Sequence, residues 1–205
     1  MSRSPEERDW TVLLVGGPAA VGKTSAAKRI ATVSGATLLQ VDDVWLALQR
    51  AIAPKDGPLL HTFSAPDVWQ RSLAELVALK RELAALVSSS LELVVAHHLR
   101  VEDKVVIEGV WITPEFAARN DYAGTAPGGR RRAVFVLEED AARIKDTLLQ
   151  RGRGFDDWTA SDRDAMAAMQ AGYAKWLRTQ ALMRSVPIVE SRPVLRLAER
   201  IHSVL

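Results

Sequence analysis

Gly17-Pro18-Ala19-Ala20-Val21-Gly22-Lys23-Thr24 fits the spacing G-x-x-x-x-G-K-[ST], and the rest of the chain is read outward from it. Chance alone yields about one such match per hundred chains of this length. The octet follows a short apolar run, residues 11–15 (TVLLV), and opens a stretch of helical spacing, residues 23–34, that Gly35 closes. A run that short, bounded by glycines, reads as a strand buried on both faces. Glycines between strand and helix let the backbone turn so that its N–H groups converge on an anion, and the positive end of the helix adds to the same attraction. The reading is a phosphate-binding loop over residues 17–24, continued by Ser25. Its amides surround the phosphates of a nucleoside triphosphate, Lys23 bridges the outer ones, and the Thr24 hydroxyl ligates Mg²⁺. A plain glycine turn ending in a lysine would match the letters too, without needing a strand before it and a helix after it.

Residues 37–41 (TLLQV) read as a second strand ending in Asp42 and Asp43, and a short helix is expected over 44–49, broken by the loop 54–58 (PKDGP). Ser64, Pro66 and Asp67 form a helix-start signal before a long helical stretch to about residue 99, with a split near 88–90. Residues 104–107 (KVVI) are a third strand, terminated by Glu108 and Gly109; 133–137 (AVFVL) are a fourth; 186–189 (VPIV), carrying a proline, are a fifth that suits an edge. Helices fill 140–151, 162–184 and 194–205. Five short strands alternating with helices predict an α/β fold, one parallel sheet covered on both faces, in a single domain over residues 1–205.

Composition agrees: 205 residues, 48% hydrophobic and 25% charged, describe an ordinary folded domain. Lys+Arg 27 against Asp+Glu 25 leaves +2, which gives little support to a nucleic-acid partner. The one dense cationic run, Arg130, Arg131 and Arg132 after Pro127-Gly128-Gly129, reads as a solvated loop. Cysteine is absent, which excludes disulfides, thiolate metal sites and thiol nucleophiles. With a polar N-terminus and no run approaching 18 apolar residues, no membrane association and a cytoplasmic location are expected.

A phosphate loop says only that a triphosphate binds; three further features suggest what is done with it. Asp42 and Asp43 fall at the carboxyl end of a strand, where parallel sheets line their ligand crevice, and one carboxylate there can accept the proton of an attacking hydroxyl. Both aspartates could instead cap the following helix. Glu108, after three apolar residues, is placed to hold Mg²⁺ through its water, or else is a surface acid beside a turn. Arg143, Arg151 and Arg153 bracket the helix after the fourth strand, the last two in Arg151-Gly152-Arg153-Gly154. They read as a flap, a short mobile lid over about 151–160, that brings charge to the transferring phosphate, or as a flexible basic turn. Phe155 to Trp158 would seat it.

Together these motifs resemble the small-molecule kinases of the nucleoside-monophosphate-kinase-like fold. GGPAAVGKTSAAKRIA, VDD, LLHTFSA and VVIEGVWITPEF are most similar to 2-phosphoglycerate-kinase-type proteins. VD at the end of the second strand is similar to chloramphenicol phosphotransferases, and ARIKDTLLQRGRGF to the flap of uridine-kinase-type enzymes. The resemblance implies a three-layer P-loop NTPase fold with strand order 2-3-1-4-5, ATP with Mg²⁺, Asp42 rather than Asp43 as the base, and flap arginines on the phosphates. It also implies that Ser191-Arg192-Pro193 flanks the adenine, which makes Arg192 a nucleotide-site residue. No one family matches from end to end, so the acceptor is left open among a phosphorylated acid, a nucleoside or sugar, and an antibiotic hydroxyl.

The acceptor region is expected over about 43–75, with Trp45, Arg50, His61, Thr62 and Trp69 as wall candidates and Trp111 approaching from beyond Glu108. The expected partner is a small molecule met by a monomer or homodimer. The rival from another class is a nucleotide-hydrolysing switch; against it, the chain has no Asn-Lys-x-Asp guanine signature and no Leu-Ser-Gly-Gly ATPase signature.

Overall fold

A computed structural model of the chain describes residues 10–65, 67–152 and 155–205. In chain order it contains β1 (Val12–Gly16), α1 (Lys23–Ser34), β2 (Thr37–Gln40) and α2 (Val41–Ala51), then two 3₁₀ turns at Pro58–Ser64 and Val68–Gln70. There follow α3 (Leu73–Ser90), α4 (Glu92–Val101), β3 (Val105–Gly109), a short α5 (Pro114–Ala117), β4 (Arg131–Leu137) and α6 (Ala141–Arg151). The chain closes with α7 (Ala160–Met183), β5 (Ile188–Glu190) and α8 (Leu197–Val204). The five strands form one parallel sheet in the order β2-β3-β1-β4-β5. Among the described residues no helix is long and apolar enough to cross a membrane.

The two-residue period of a strand divides the core. Val12 and Leu14 of β1, Val105 and Ile107 of β3, and Phe135 of β4 meet one layer of helices, α3, α4, α5 and α7. Leu13 and Val15, Val106, Val134 and Val136 meet Ala27 and Ile30 of α1 and Leu197 and Ile201 of α8 on the other side. Burial on both faces is why these strands read as unbroken apolar runs. Helix α1 keeps its expected bounds, and Gly35, at φ 63°, caps it in the left-handed region with its N–H on Ala31 O.

Three expectations are corrected. Strand β2 stops at Gln40, so Asp42 and Asp43 belong to the first turn of α2; Gln40 is its N-cap, no side chain caps it, and the capping role for Asp43 falls away. The long helical region starts at Ser72, not near Ser64. Pro58–Ser64 and Val68–Gln70 instead form 3₁₀ turns carrying stacked Phe63 and Trp69 rings, 5.6 Å apart, and the expected split comes at Leu91. Finally, Arg131 and Arg132 are the first residues of β4 and pair opposite Val12 and Leu13, because β4 must run the length of the central strand; they are not a solvated loop.

The true start of α3 is a capping box. The Ser72 hydroxyl accepts from the Glu75 amide at 3.3 Å, and the Glu75 carboxylate accepts from the Ser72 amide at 2.9 Å. Ser72→Ala is expected to destabilise the protein by about 1 kcal/mol, read as a lower urea midpoint at unchanged m-value.

Candidate functional site

The phosphate loop leaves the end of β1 in conformations that explain its composition. Gly17 lies at φ 142°, and a Cβ there would sit 2.1 Å from the Val136 carbonyl oxygen. Gly22 is at φ 85°, and even Ala20 takes φ 65°. Positive-φ residues recurring at 17, 20 and 22 are the backbone signature from which anion nests are built. Pro18 has no N–H, and the Ala19 amide donates to Gln170 Oε1 of α7 at 3.0 Å, so the remaining amides of the loop run from Ala20 into the first turn of α1. This is the three-layer P-loop fold.

Lys23 folds back over the loop and donates to the Pro18 carbonyl at 2.6 Å. Burial lowers its pKa to about 8; the Glu108 and Asp42 carboxylates pull it upward and Arg151 pushes it further down. All four side chains therefore act in one electrostatic field. The Thr24 hydroxyl donates to Glu108 Oε1 at 2.8 Å, and Glu108 is buried within β3 rather than terminating it. A buried carboxylate met by a neutral hydroxyl still calls for a cation, and an all-oxygen pair beside a phosphate nest suits a hard one, so these residues fit Mg²⁺.

Beside the loop lies a cavity of about 120 Å³, lined by Ala20, Val21, Gly22 and Ser25, by Arg143, Thr147 and Arg151 of α6, and by Ser191, Arg192 and Val194 after β5. The expected nucleotide-side residues thus converge. Glu138, on the same wall, was not anticipated. Its carboxylate lies 3.8 Å from Arg143 and 3.7 Å from Arg192 and accepts from the Ser191 hydroxyl at 3.1 Å, drawing the two guanidinium groups toward one point. An acid just past the apolar β4 is the same signal used for Asp42 and Glu108. Arg153 lies outside the described residues. Phe155 is buried, and Trp158 packs on both Phe155 (5.3 Å) and Trp69 (5.1 Å), joining the base of the expected lid to the 3₁₀ segment.

Asp42 is exposed on the first turn of α2, and Trp45 follows on the same helical face. The Trp45 ring meets Trp111 at 5.0 Å, and its Nε1 donates to Leu60 O. His61 Nε2 donates to Ile52 O at 2.8 Å, so this ring braces the loop between α2 and the 3₁₀ turn. Arg50 is exposed on the last turn of α2, about 12 Å along the axis from Asp42. Thr62 donates weakly to Pro58 O within its own turn.

The residue that sequence reasoning missed outright is Lys80. It is 3% exposed on the inner side of α3, with Nζ 3.3 Å from the Trp111 ring centroid, 5.6 Å from Tyr173 and 5.9 Å from Phe63. Burial lowers its pKa to about 7, Asp42 opposing that shift and Lys23 adding to it. The signal was available: Lys80 interrupts the stripe Leu76, Leu83, Ala84, Val87 at helical spacing. Gln170 interrupts the buried face of α7 in the same way.

No protein-family model matches the chain. No curated protein matches it either. Among solved structures it is similar to shikimate kinase from Acinetobacter baumannii in complex with shikimate, at 13% identity over 96% of this chain and 93% of that one, with a TM-score of 0.48.

Proposed function

We propose that this protein is an ATP-dependent phosphotransferase that moves the γ-phosphate to a hydroxyl of a small molecule. The observation that carries the reading is the Thr24 hydroxyl donating to the buried Glu108 carboxylate at 2.8 Å beside the glycine loop over which Lys23 folds, with the charge of Asp42, on the first turn of the helix after β2, also acting on Lys23. A switch that only hydrolyses its nucleotide has no use for a carboxylate in Asp42's position.

In this reading the amides from Ala20 to Thr24 and the Lys23 ammonium bind the β- and γ-phosphates, and Ser25, Arg143 and Arg192 line the nucleotide side. Thr24 and Glu108 hold Mg²⁺, which supplies neutralising charge at the phosphate oxygens when bound. Asp42 accepts the proton of the acceptor hydroxyl as its oxygen bonds to the γ-phosphorus; the bond to the β–γ bridging oxygen breaks in line, and ADP carries that electron pair away. Arg151, with Arg153 from the lid, offsets the charge spread over the transferring group. Trp45 and Trp111 form the apolar wall of the acceptor side, with Arg50 and His61 at its margin. Catalysis rests on positioning and electrostatics.

The test is incubation with ATP, Mg²⁺ and a pooled library of metabolites and antibiotics, followed by mass spectrometry. The expected result is one compound class that gains a single phosphate, with slow hydrolysis in its absence. Rapid hydrolysis that no small molecule redirects would overturn the reading in favour of a switch.

A further inference from the structure

An ammonium is rarely buried without a carboxylate against it, because leaving water costs several kcal/mol that only an anion or an acceptor-rich cage offsets. Among the described residues Lys80 has no such partner: no carboxylate lies within 4 Å of it, and its contacts are aromatic faces. The Trp111 ring offsets part of the cost by attracting the cation but accepts no N–H bond of ordinary strength. Two more polar atoms of this cage are buried without a partner, Trp111 Nε1 and the Tyr173 hydroxyl. The cage therefore offers a positive charge and surplus donors, and the complementary chemistry is an oxyanion.

Its surroundings are built to hold this arrangement. The Ser88 hydroxyl, two turns along α3 from Lys80, donates to Trp111 O at 2.6 Å and accepts from the Thr113 amide at 2.9 Å, so the helix that carries the lysine also fixes the ring beneath it. Trp111 ties Lys80 to the acceptor side of the proposed transfer: its ring also meets Trp45 at 5.0 Å, and Trp45 lies one turn along α2 from Asp42.

We propose that Lys80, seated on Trp111, is the specificity-determining cation of the acceptor pocket, and that the acceptor carries a carboxylate or phosphate close to the hydroxyl that Asp42 addresses. This rests on the kinase reading for the word acceptor, and on the cage alone for the word oxyanion. The rings around Lys80, Phe63, Trp111 and Tyr173, carry no positive charge, so Lys80→Met, which keeps length and apolar contact, removes the anion-binding element. Because burial holds the ammonium down near 7 against an ordinary 10.5, its charged form weakens the fold below about pH 7, less so as pH rises towards 10.5. Lys80→Met lacks that charge and is expected to fold.

The test measures binding by calorimetry to the full-length protein with Mg²⁺ and a non-hydrolysable ATP analogue filling the phosphate loop. The probes are glycerol, glycerate and glycerol 3-phosphate, which share a three-carbon skeleton and differ in charge. Wild type is expected to bind one or both anions and not glycerol, and Lys80→Met to bind that anion about 10- to 100-fold more weakly while retaining the nucleotide analogue. Whether glycerate or glycerol 3-phosphate is preferred separates a carboxylate acceptor from a phosphorylated one. Anion binding is also expected to weaken as pH rises through about 7 in wild type, with no such step in Lys80→Met. Equal binding by the two proteins, or glycerol binding as well as the anions, would overturn the proposal even if phosphate transfer is found. Lys80-dependent anion binding without transfer to any compound would retain the site and overturn the kinase reading instead. Should Lys80→Met prove unfolded by circular dichroism, the three-probe comparison on wild type still decides.

Discussion

The Lys23→Ala protein is expected to transfer phosphate about 10²- to 10³-fold more slowly than wild type, the loss typical of removing one preorganised charge from a transition state. Lys23 is buried, and its Nζ is already held 2.6 Å from the Pro18 carbonyl, over the loop whose amides would receive the phosphates. Its burial over the loop limits the reorganisation it must make, so its loss is expected to fall on kcat as well as on the KM for ATP. The fold should survive: burial already disfavours this ammonium, holding it near 8, and alanine removes that strain at the price of a small void. Calorimetry should show a melting temperature close to wild type, and initial rates of ADP formation the full loss. The same shift sets a sign for pH. The ammonium that attracts the triphosphate is present below about 8 and lost above it, so kcat/KM for ATP should fall on the alkaline side. Wild-type transfer by Lys23→Ala would remove the phosphate loop from the mechanism.

For Asp42→Asn the expected loss is about 10²- to 10⁴-fold in kcat, the range for a general base, with the KM for ATP nearly unchanged. Asparagine keeps the size and most of the hydrogen bonding but cannot take the proton. The carboxylate lies on the first turn of α2, where its charge also complements the helix terminus, so stability should fall by no more than about 1 kcal/mol. The informative comparison is transfer against acceptor-free hydrolysis in the same variant. Transfer should collapse while hydrolysis changes little, because only the former uses Asp42. If both fall together, Asp42 acts on the nucleotide and the assignment of the base is wrong.

The phosphate loop was legible because its physics is local: two glycines in conformations other residues avoid, a lysine and a threonine opening a helix, and a strand in front of it. Glu108 was legible for the same reason, as an acid interrupting an apolar strand. The bounds of β2 and α2 were misjudged because Asp42 and Asp43 suit the end of a strand and the first turn of a helix equally well. The turns at 58–64 and 68–70 were misjudged because Trp69, which stacks on Phe63, also packs on Trp158, a partner 89 positions away that no local pattern registers.

By itself the amino-acid sequence determined the α/β class, the number of strands and the position of the glycine loop between β1 and α1, since periodicity, glycine placement and helix capping act over a few neighbouring residues. Only the tertiary structure decided which charges share a cleft. Lys80 of α3 lies against Trp111 after β3, within the electrostatic reach of Asp42 of α2 and Lys23 of α1, because a parallel sheet gathers the carboxyl ends of its strands at one edge. A lysine on the apolar side of a helix is an anomaly in sequence, and the role proposed for it rests on the aromatic face that the fold sets beneath it.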